Sequence, residues 1–380
     1  MKRVISILLA VMMAFSCVAC GSTSGNADSD KAQEDTASKT GSTHIVVDHS
    51  GNEVEVPYEI DKIVVCDILP LSSVLTVFFD SADKIVGMSD TAMAAAENGL
   101  LGELYPEFLD AKTDFIDGTT VNTEELMKLE PDLVIYSASS PELGEQLRNA
   151  GFAAIALSVN KWEYDCIETL NNWIALLSEI FPDNDKTEIV EKKSNEMYEL
   201  VQERIAMIPE EEREEVFVLF KYSDTGIETS GKKFFGQWWA DAIGSKNVAE
   251  ELETDNSVSV NMEQVYTWNP SVIFVTNFTT AGPEDLYNNT VGNYDWSVVD
   301  AVKNQRVYKM PLGMYRSYTP GADTPVTLLW MAKTTYPEQF ADIDITEEAI
   351  KYYEEVFGVT LTKEQAESIF NPTSEAGAGF

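Results

Sequence analysis

Asn122-Thr123-Glu124-Glu125-Leu126-Met127-Lys128-Leu129-Glu130-Pro131-Asp132-Leu133-Val134-Ile135 returns later in the chain as Asn261-Met262-Glu263-Gln264-Val265-Tyr266-Thr267-Trp268-Asn269-Pro270-Ser271-Val272-Ile273-Phe274. Asn122 aligns with Asn261, Glu124 with Glu263 and Pro131 with Pro270. Each copy reads as an Asn-capped helix, a proline stop and a buried strand. Downstream, Ser140-Pro141-Glu142 corresponds to Gly282-Pro283-Glu284. The repeat therefore predicts two similar α/β lobes.

Outward from the first copy, Lys62-Ile63-Val64-Val65-Cys66, Lys84-Ile85-Val86-Gly87-Met88 and Ala153-Ala154-Ile155-Ala156-Leu157 are short apolar runs suited to strands buried on both faces. Helical patterns separate them, which argues for parallel sheets covered by helices. A hairpin over Ser50-Gly51-Asn52 opens the lobe. In the second lobe, Glu215–Phe220, Ser271–Val275 and Arg306–Met310 read as strands. Between the lobes the chain is helical from Trp162 to Phe181 and again from Asp185 to Ile208, with a stripe of Ile189, Met197, Tyr198, Val201 and Ile205. The expected organisation is a first lobe over 44–160, a helical link over 161–209, a second lobe over 210–370 and a disordered tail over 371–380.

The first twenty residues have a basic start at Lys2 and Arg3, an apolar run from Val4 to Phe15 and small residues after it, the pattern of a secretory signal. Ser16-Cys17-Val18-Ala19-Cys20-Gly21 resembles a bacterial lipobox, with Cys20 as the lipidated residue and Cys17 as a second register. Residues 21–43 are polar and lack aromatics, so they read as a flexible tether. The expected location is the outer face of a membrane, through that lipid anchor. Cys66 and Cys166 read as buried free thiols, with a disulfide between them left open. With 26 Lys+Arg against 64 Asp+Glu, the net charge of −38 argues against a nucleic-acid partner.

The two repeat units, the Val56-Pro57 to Lys62-Ile63-Val64 start and Val298-Val299-Asp300-Ala301-Val302-Lys303-Asn304-Gln305-Arg306-Val307-Tyr308 together resemble the solute-binding proteins of ABC importers for iron complexes, a group that also serves cobalamin and haem. The resemblance covers roughly residues 44–358. It implies two Rossmann-like lobes joined by one long helix, a monomer, and a ligand cleft between lobes at the carboxyl ends of the strands. It also implies a permease partner with its ATPase, docked by an acidic residue on each lobe. Glu142 and Glu284 hold matching places and take that role here.

Loops after the expected strands should line the cleft. In the first lobe they carry Leu69, Ser89, Ser137, Ser139 and Trp162. In the second they carry Lys221, Tyr222, Lys232, Phe235, Asn277 and Phe278, and the segment Met314-Tyr315-Arg316-Ser317-Tyr318. Arg316, flanked by Tyr315 and Tyr318, is the foremost ligand candidate, because a guanidinium pairs with anionic chelates and aromatic faces pack on them. The only histidines, His44 and His49, fall in the first hairpin. A bare transition-metal cargo is therefore disfavoured. No metal site and no cofactor beyond the lipid are expected, and the cargo reads as an Fe(III) chelate, a ferric siderophore foremost. Haem or a corrinoid, held through Met314, Tyr315 or Tyr318, is an alternative, as is molybdate around Ser137 and Ser139. No G-x-S-x-G, H-E-x-x-H or Walker A motif is present, so an enzyme is not expected. A secreted carboxylate enzyme and an adhesin stand as the readings from other classes.

Overall fold

The structure, a computed structural model, describes residues 41–379. The signal sequence, Cys20 and nearly all of the tether lie outside the described residues. Among the described residues no helix is long and apolar enough to cross a membrane.

The first lobe is built on a parallel sheet in the order Ile85–Gly87, Ile63–Val65, Leu133–Ser137, Ala154–Leu157. The second lobe has a parallel core of Glu215–Ser223, Val272–Val275 and Val307–Lys309. An antiparallel ribbon of Gly226–Ser230 and Ser257–Val260 extends that sheet. This is the expected α/β, two-lobed architecture, and its central strands are buried on both faces as their apolar runs required.

The repeat has the same local geometry twice. Asn122 caps the helix Thr123–Leu129 by accepting from the N–H groups of Glu124 and Glu125, and Asn261 caps Met262–Trp268 by accepting from Gln264 N–H. Both helices end in a left-handed residue directly before the proline, Glu130 at φ 49° and Asn269 at φ 44°. The following proline cannot continue the helix and sends the chain into the strand.

The helix Thr187–Ile205 is about 28 Å long at 1.5 Å per residue. Val190 enters the core of the first lobe, whereas Val201 and Ile205 enter that of the second. One helix thus ties two cores together, which restrains lobe movement more than a loop hinge would.

Three boundaries differ from the sequence reading. The strand expected to stop at Phe220 runs to Ser223, because Gly226–Ser230 folds back and pairs Tyr222 with Ile227 and Lys221 with Glu228. The helices Ile345–Phe357 and Lys363–Ile369, expected in the second lobe, bury Tyr352, Tyr353, Val356, Ala366 and Ile369 in the first lobe's core. Their apolar stripes are generic and do not name the core they meet. Finally, the segment expected to be a disordered tail forms a 3-10 turn over Ser374–Gly377 with Ala376 fully buried.

Cys66 and Cys166 are free and buried, and burial raises both thiols well above their usual range. His44 stacks on Tyr58 with ring centres 4.5 Å apart. His49 Nδ1 accepts from Ser158 N–H at 3.1 Å, and burial, helped by Lys161, pushes its pKa down to about 4. Its folded pKa lies below its unfolded value of 6.5, so its contribution to stability is present above pH 6.5 and is lost as pH falls toward 4. His49→Gln should remove up to about 3 kcal/mol of that pH dependence, read as the wild-type-minus-variant difference in urea unfolding between pH 6.5 and pH 4. A difference that stays flat with pH overturns the assignment.

Candidate ligand cleft between the lobes

Two hydrogen bonds join segments that follow strands of the first lobe to the second lobe. Tyr164 O–H donates to the carbonyl of Asp255 at 3.1 Å. Arg316 Nη1 donates to the carbonyl of Thr91 at 3.3 Å. Contacts therefore close the cleft from two sides.

On the Tyr164 side a cavity of 630 Å3 opens between the turn 160–165 and the segment 232–241. Its aromatic walls are Trp162, Tyr164, Phe234 and Trp238, and its charged lining sets Lys232 and Lys233 against Glu163, Asp165, Asp241 and Asp255. Two successive non-glycine residues in this turn, Glu163 at φ 52° and Tyr164 at φ 63°, adopt the left-handed region. Such conformations cost about 1 kcal/mol or more each and concentrate at functional sites. The turn is held by Ser158 Oγ, which accepts from Lys161 N–H at 3.0 Å. Trp162 packs edge-on against His49 at 5.0 Å, and Lys161 Nζ lies 5.8 Å from its ring. Lys232 and Lys233 both pair with Glu253, at 3.0 and 3.2 Å. These pairs are exposed and weak, so a ligand can recruit either cation.

An aromatic layer leads from the cavity to Arg316. Tyr164 lies 4.9 Å from Phe235, Phe235 5.8 Å from Tyr318, and Tyr318 6.2 Å from Phe278. The Arg316 guanidinium sits 5.5 Å from the Phe278 ring and 5.7 Å from that of Tyr315. Arg316 is fully buried. Its Nε donates to the carbonyl of Ala376 at 3.1 Å and its Nη2 to that of Ala378 at 2.6 Å. Tyr315 O–H accepts from Nη1 at 3.4 Å.

The Arg316 loop has a buried scaffold. Asp323 accepts from the N–H groups of Met314 and Tyr315 and from Tyr353 O–H. Burial pushes its carboxyl up to about 6 against the pull of those hydrogen bonds. The neighbouring loop is pinned by Lys309, whose ammonium donates to the carbonyls of Thr276, Thr279 and Ala281 at 2.9, 2.6 and 2.7 Å. Asn277 donates to the carbonyls of Met310 and Pro311, while its buried Oδ1 has no hydrogen-bond partner among the described residues.

The structure thus brings Arg316, Tyr315, Tyr318, Phe235, Phe278 and Asn277 together, and sets Trp162 and Lys232 on the cavity. Tyr318 is more a core residue than a wall: its hydroxyl accepts from Gly236 N–H and it is 1% exposed. Tyr222 does not belong to the cleft. Its hydroxyl donates to the carbonyl of Val291 and accepts from Trp296 Nε1, inside the core on the other face of the sheet. Lys221, in the same strand, lies 5.7 Å from the Phe220 ring, off the cavity lining. In the first lobe, Ser89 caps the helix Asp90–Glu97, and Leu69 packs partly buried against the second lobe's core. Ser137 Oγ accepts from Ser139 N–H at 3.2 Å, and Ser137 N–H donates to Asp67. Glu142 and Glu284 are exposed in the first turns of the helices Pro141–Asn149 and Pro283–Asn288.

Sequence reasoning passed over Tyr164, Trp238, Asp323 and Lys309. A lone charge in the apolar strand Val307–Lys309 was a signal for the last; the left-handed turn around Tyr164 left none. Among the described residues no three His, Cys, Asp or Glu side chains form a metal site.

A model of the periplasmic binding protein family matches residues 80–312, more than half of the chain. The chain belongs to the periplasmic binding protein family. Its members are solute-binding proteins. This binding protein is 24% identical to the molybdate-binding protein MolA of Haemophilus influenzae, over 85% of this chain and 93% of MolA. It is 26% identical to the uncharacterized ABC transporter substrate-binding lipoprotein YvrC of Bacillus subtilis, over 88% of this chain and 96% of YvrC. A periplasmic solute binding protein from Veillonella parvula superposes with a TM-score of 0.77 at 26% identity, over 87% of this chain and 97% of that one.

Proposed function

We propose that this chain is the substrate-binding subunit of an ABC importer and that its ligand is an anionic metal chelate, a ferric siderophore foremost. The observation that carries this is the 630 Å3 cavity walled by Trp162, Tyr164, Phe234 and Trp238. Flat or bulky chelates need such a volume and such faces. Arg316, beyond the aromatic layer, adds a fixed fork for anionic oxygens. Glu142 and Glu284, one on each lobe, serve as the docking charges for the permease. A lipid on Cys20 holds the protein at the outer face of the membrane.

A second reading is molybdate, favoured by the similarity to MolA across most of both chains. A tetrahedral oxyanion would leave most of the cavity empty and would rest on Arg316 rather than on the tryptophans.

The test is native mass spectrometry and titration calorimetry of the purified chain with ferric catecholate, ferric hydroxamate, ferric citrate, haem, cobalamin and molybdate. A ferric chelate should bind one to one. Trp162→Ala should weaken it about tenfold, and Arg316→Ala about a hundredfold. Molybdate binding that ignores Trp162→Ala would replace the siderophore with the oxyanion.

A further inference from the structure

The most buried cation of the cleft is covered by the chain itself. Segment 374–379 reads Ser-Glu-Ala-Gly-Ala-Gly and threads between the lobes. Arg316 donates to the carbonyls of Ala376 and Ala378. Gly377 lies so close to the backbone of Thr279 and Thr280, in the second lobe, that a Cβ there would overlap it. A Cβ built on Gly379 would sit 2.6 Å from that of Ala94, in the first lobe. Upstream, the helix Lys363–Ile369 is anchored, with Leu312 N–H donating to the carbonyl of Ile369 at 2.9 Å. From Thr373 to Gly379 the side chains are small or polar, and Ala and Gly bury little apolar surface.

We infer that segment 372–379 is an internal placeholder in the ligand site, and that the ligand displaces it by setting anionic oxygens where the carbonyls of Ala376 and Ala378 now meet Arg316. This rests on the reading of the cleft as an anion-chelate site, and deepens it. Small residues are what the narrow passage between Ala94 and Thr279 admits. Carbonyl oxygens are weaker acceptors for a guanidinium than carboxylate, catecholate or oxometalate oxygens, so exchange favours a charged ligand. While the segment is in place, apparent affinity is reduced by the fraction of molecules whose site is open.

Two variants test it, with ferric tris(catecholate) and sodium molybdate as probes and the thermal midpoint as the folding control. A chain stopped after Asn371 should bind its probe about tenfold tighter than the full chain. Gly377→Ala, whose Cβ would overlap the backbone of Thr279, should expel the segment and tighten binding about tenfold relative to the full chain. Tighter binding of molybdate alone upholds the placeholder and overturns the ferric chelate as ligand. Equal affinities in the stopped, Gly377→Ala and full chains overturn the placeholder while leaving the binding function standing. Weaker binding by the stopped chain at an unchanged thermal midpoint also overturns it, because the segment is then part of the site. Failure of every form, the stopped chain included, to bind either probe overturns the anion class together with the placeholder.

Discussion

Asp323→Ala is expected to lower the unfolding free energy by about 4 kcal/mol near pH 4, because three buried donors lose their acceptor at once and each stranded donor costs about 1–3 kcal/mol. The donors are Met314 N–H, Tyr315 N–H and Tyr353 O–H. Gly313→Ala should act through the same point, since a Cβ on Gly313 would overlap the Asp323 carboxylate. The pH dependence has a definite sign. The folded pKa of about 6 lies above the unfolded 3.8, so this group's contribution is fully present below pH 3.8 and is lost as pH rises through 6. The wild-type-minus-variant difference should therefore be larger at pH 4 than at pH 7, opposite in sign to that of His49. Urea unfolding of both proteins at the two pH values checks it. A difference that grows with pH would show that Asp323 is held as a carboxylate throughout. Because Met314 and Tyr315 adjoin Arg316, the variant should also lose ligand affinity.

Lys309→Met is expected to cost about 4 kcal/mol, since it leaves three buried carbonyls without their donor. Methionine has similar length and keeps the apolar stem packed, so the loss reports the ammonium rather than a cavity. Those carbonyls belong to Thr276, Thr279 and Ala281, and the loop they define presents Phe278 to Arg316. Thr276 and Thr279 tie the same loop to the carbonyls of Phe220 and Tyr222, so it should loosen without leaving the sheet. The expected signature is a lower urea midpoint, with faster amide hydrogen exchange confined to 276–281 before global unfolding. A variant as stable as the wild type would mean that other donors or water satisfy these carbonyls.

How the cleft became visible follows the range of the interactions involved. Arg316 could be singled out by its tyrosine neighbours, and Trp162 by its place after the last strand of the first lobe. Neither position revealed that Arg316 is covered. Its carbonyl partners lie on Ala376 and Ala378, in a stretch whose small polar composition gives no folding signal of its own. Tyr222 was misplaced because strand length was judged from the apolar run alone. The hairpin partner Gly226–Ser230, weak in apolar character, lengthens the strand and turns that tyrosine into the core. Trp238 and Tyr164 line one cavity, and Tyr164 reaches it through a left-handed turn at Glu163 and Tyr164, which non-glycine residues adopt only when their surroundings impose it.

What the sequence by itself determined is the two-lobed α/β plan, its parallel strand cores and the helix that ties them. Capping residues, proline stops and apolar periodicity act within a few residues of one another, so they are written locally and twice over in this chain. Tertiary structure alone decided which core the helices Ile345–Phe357 and Lys363–Ile369 join, which aromatics wall the cavity, and what lies on Arg316. Those outcomes depend on contacts between residues far apart in the chain, as when Arg316 reaches Thr91, and no local pattern encodes such a meeting.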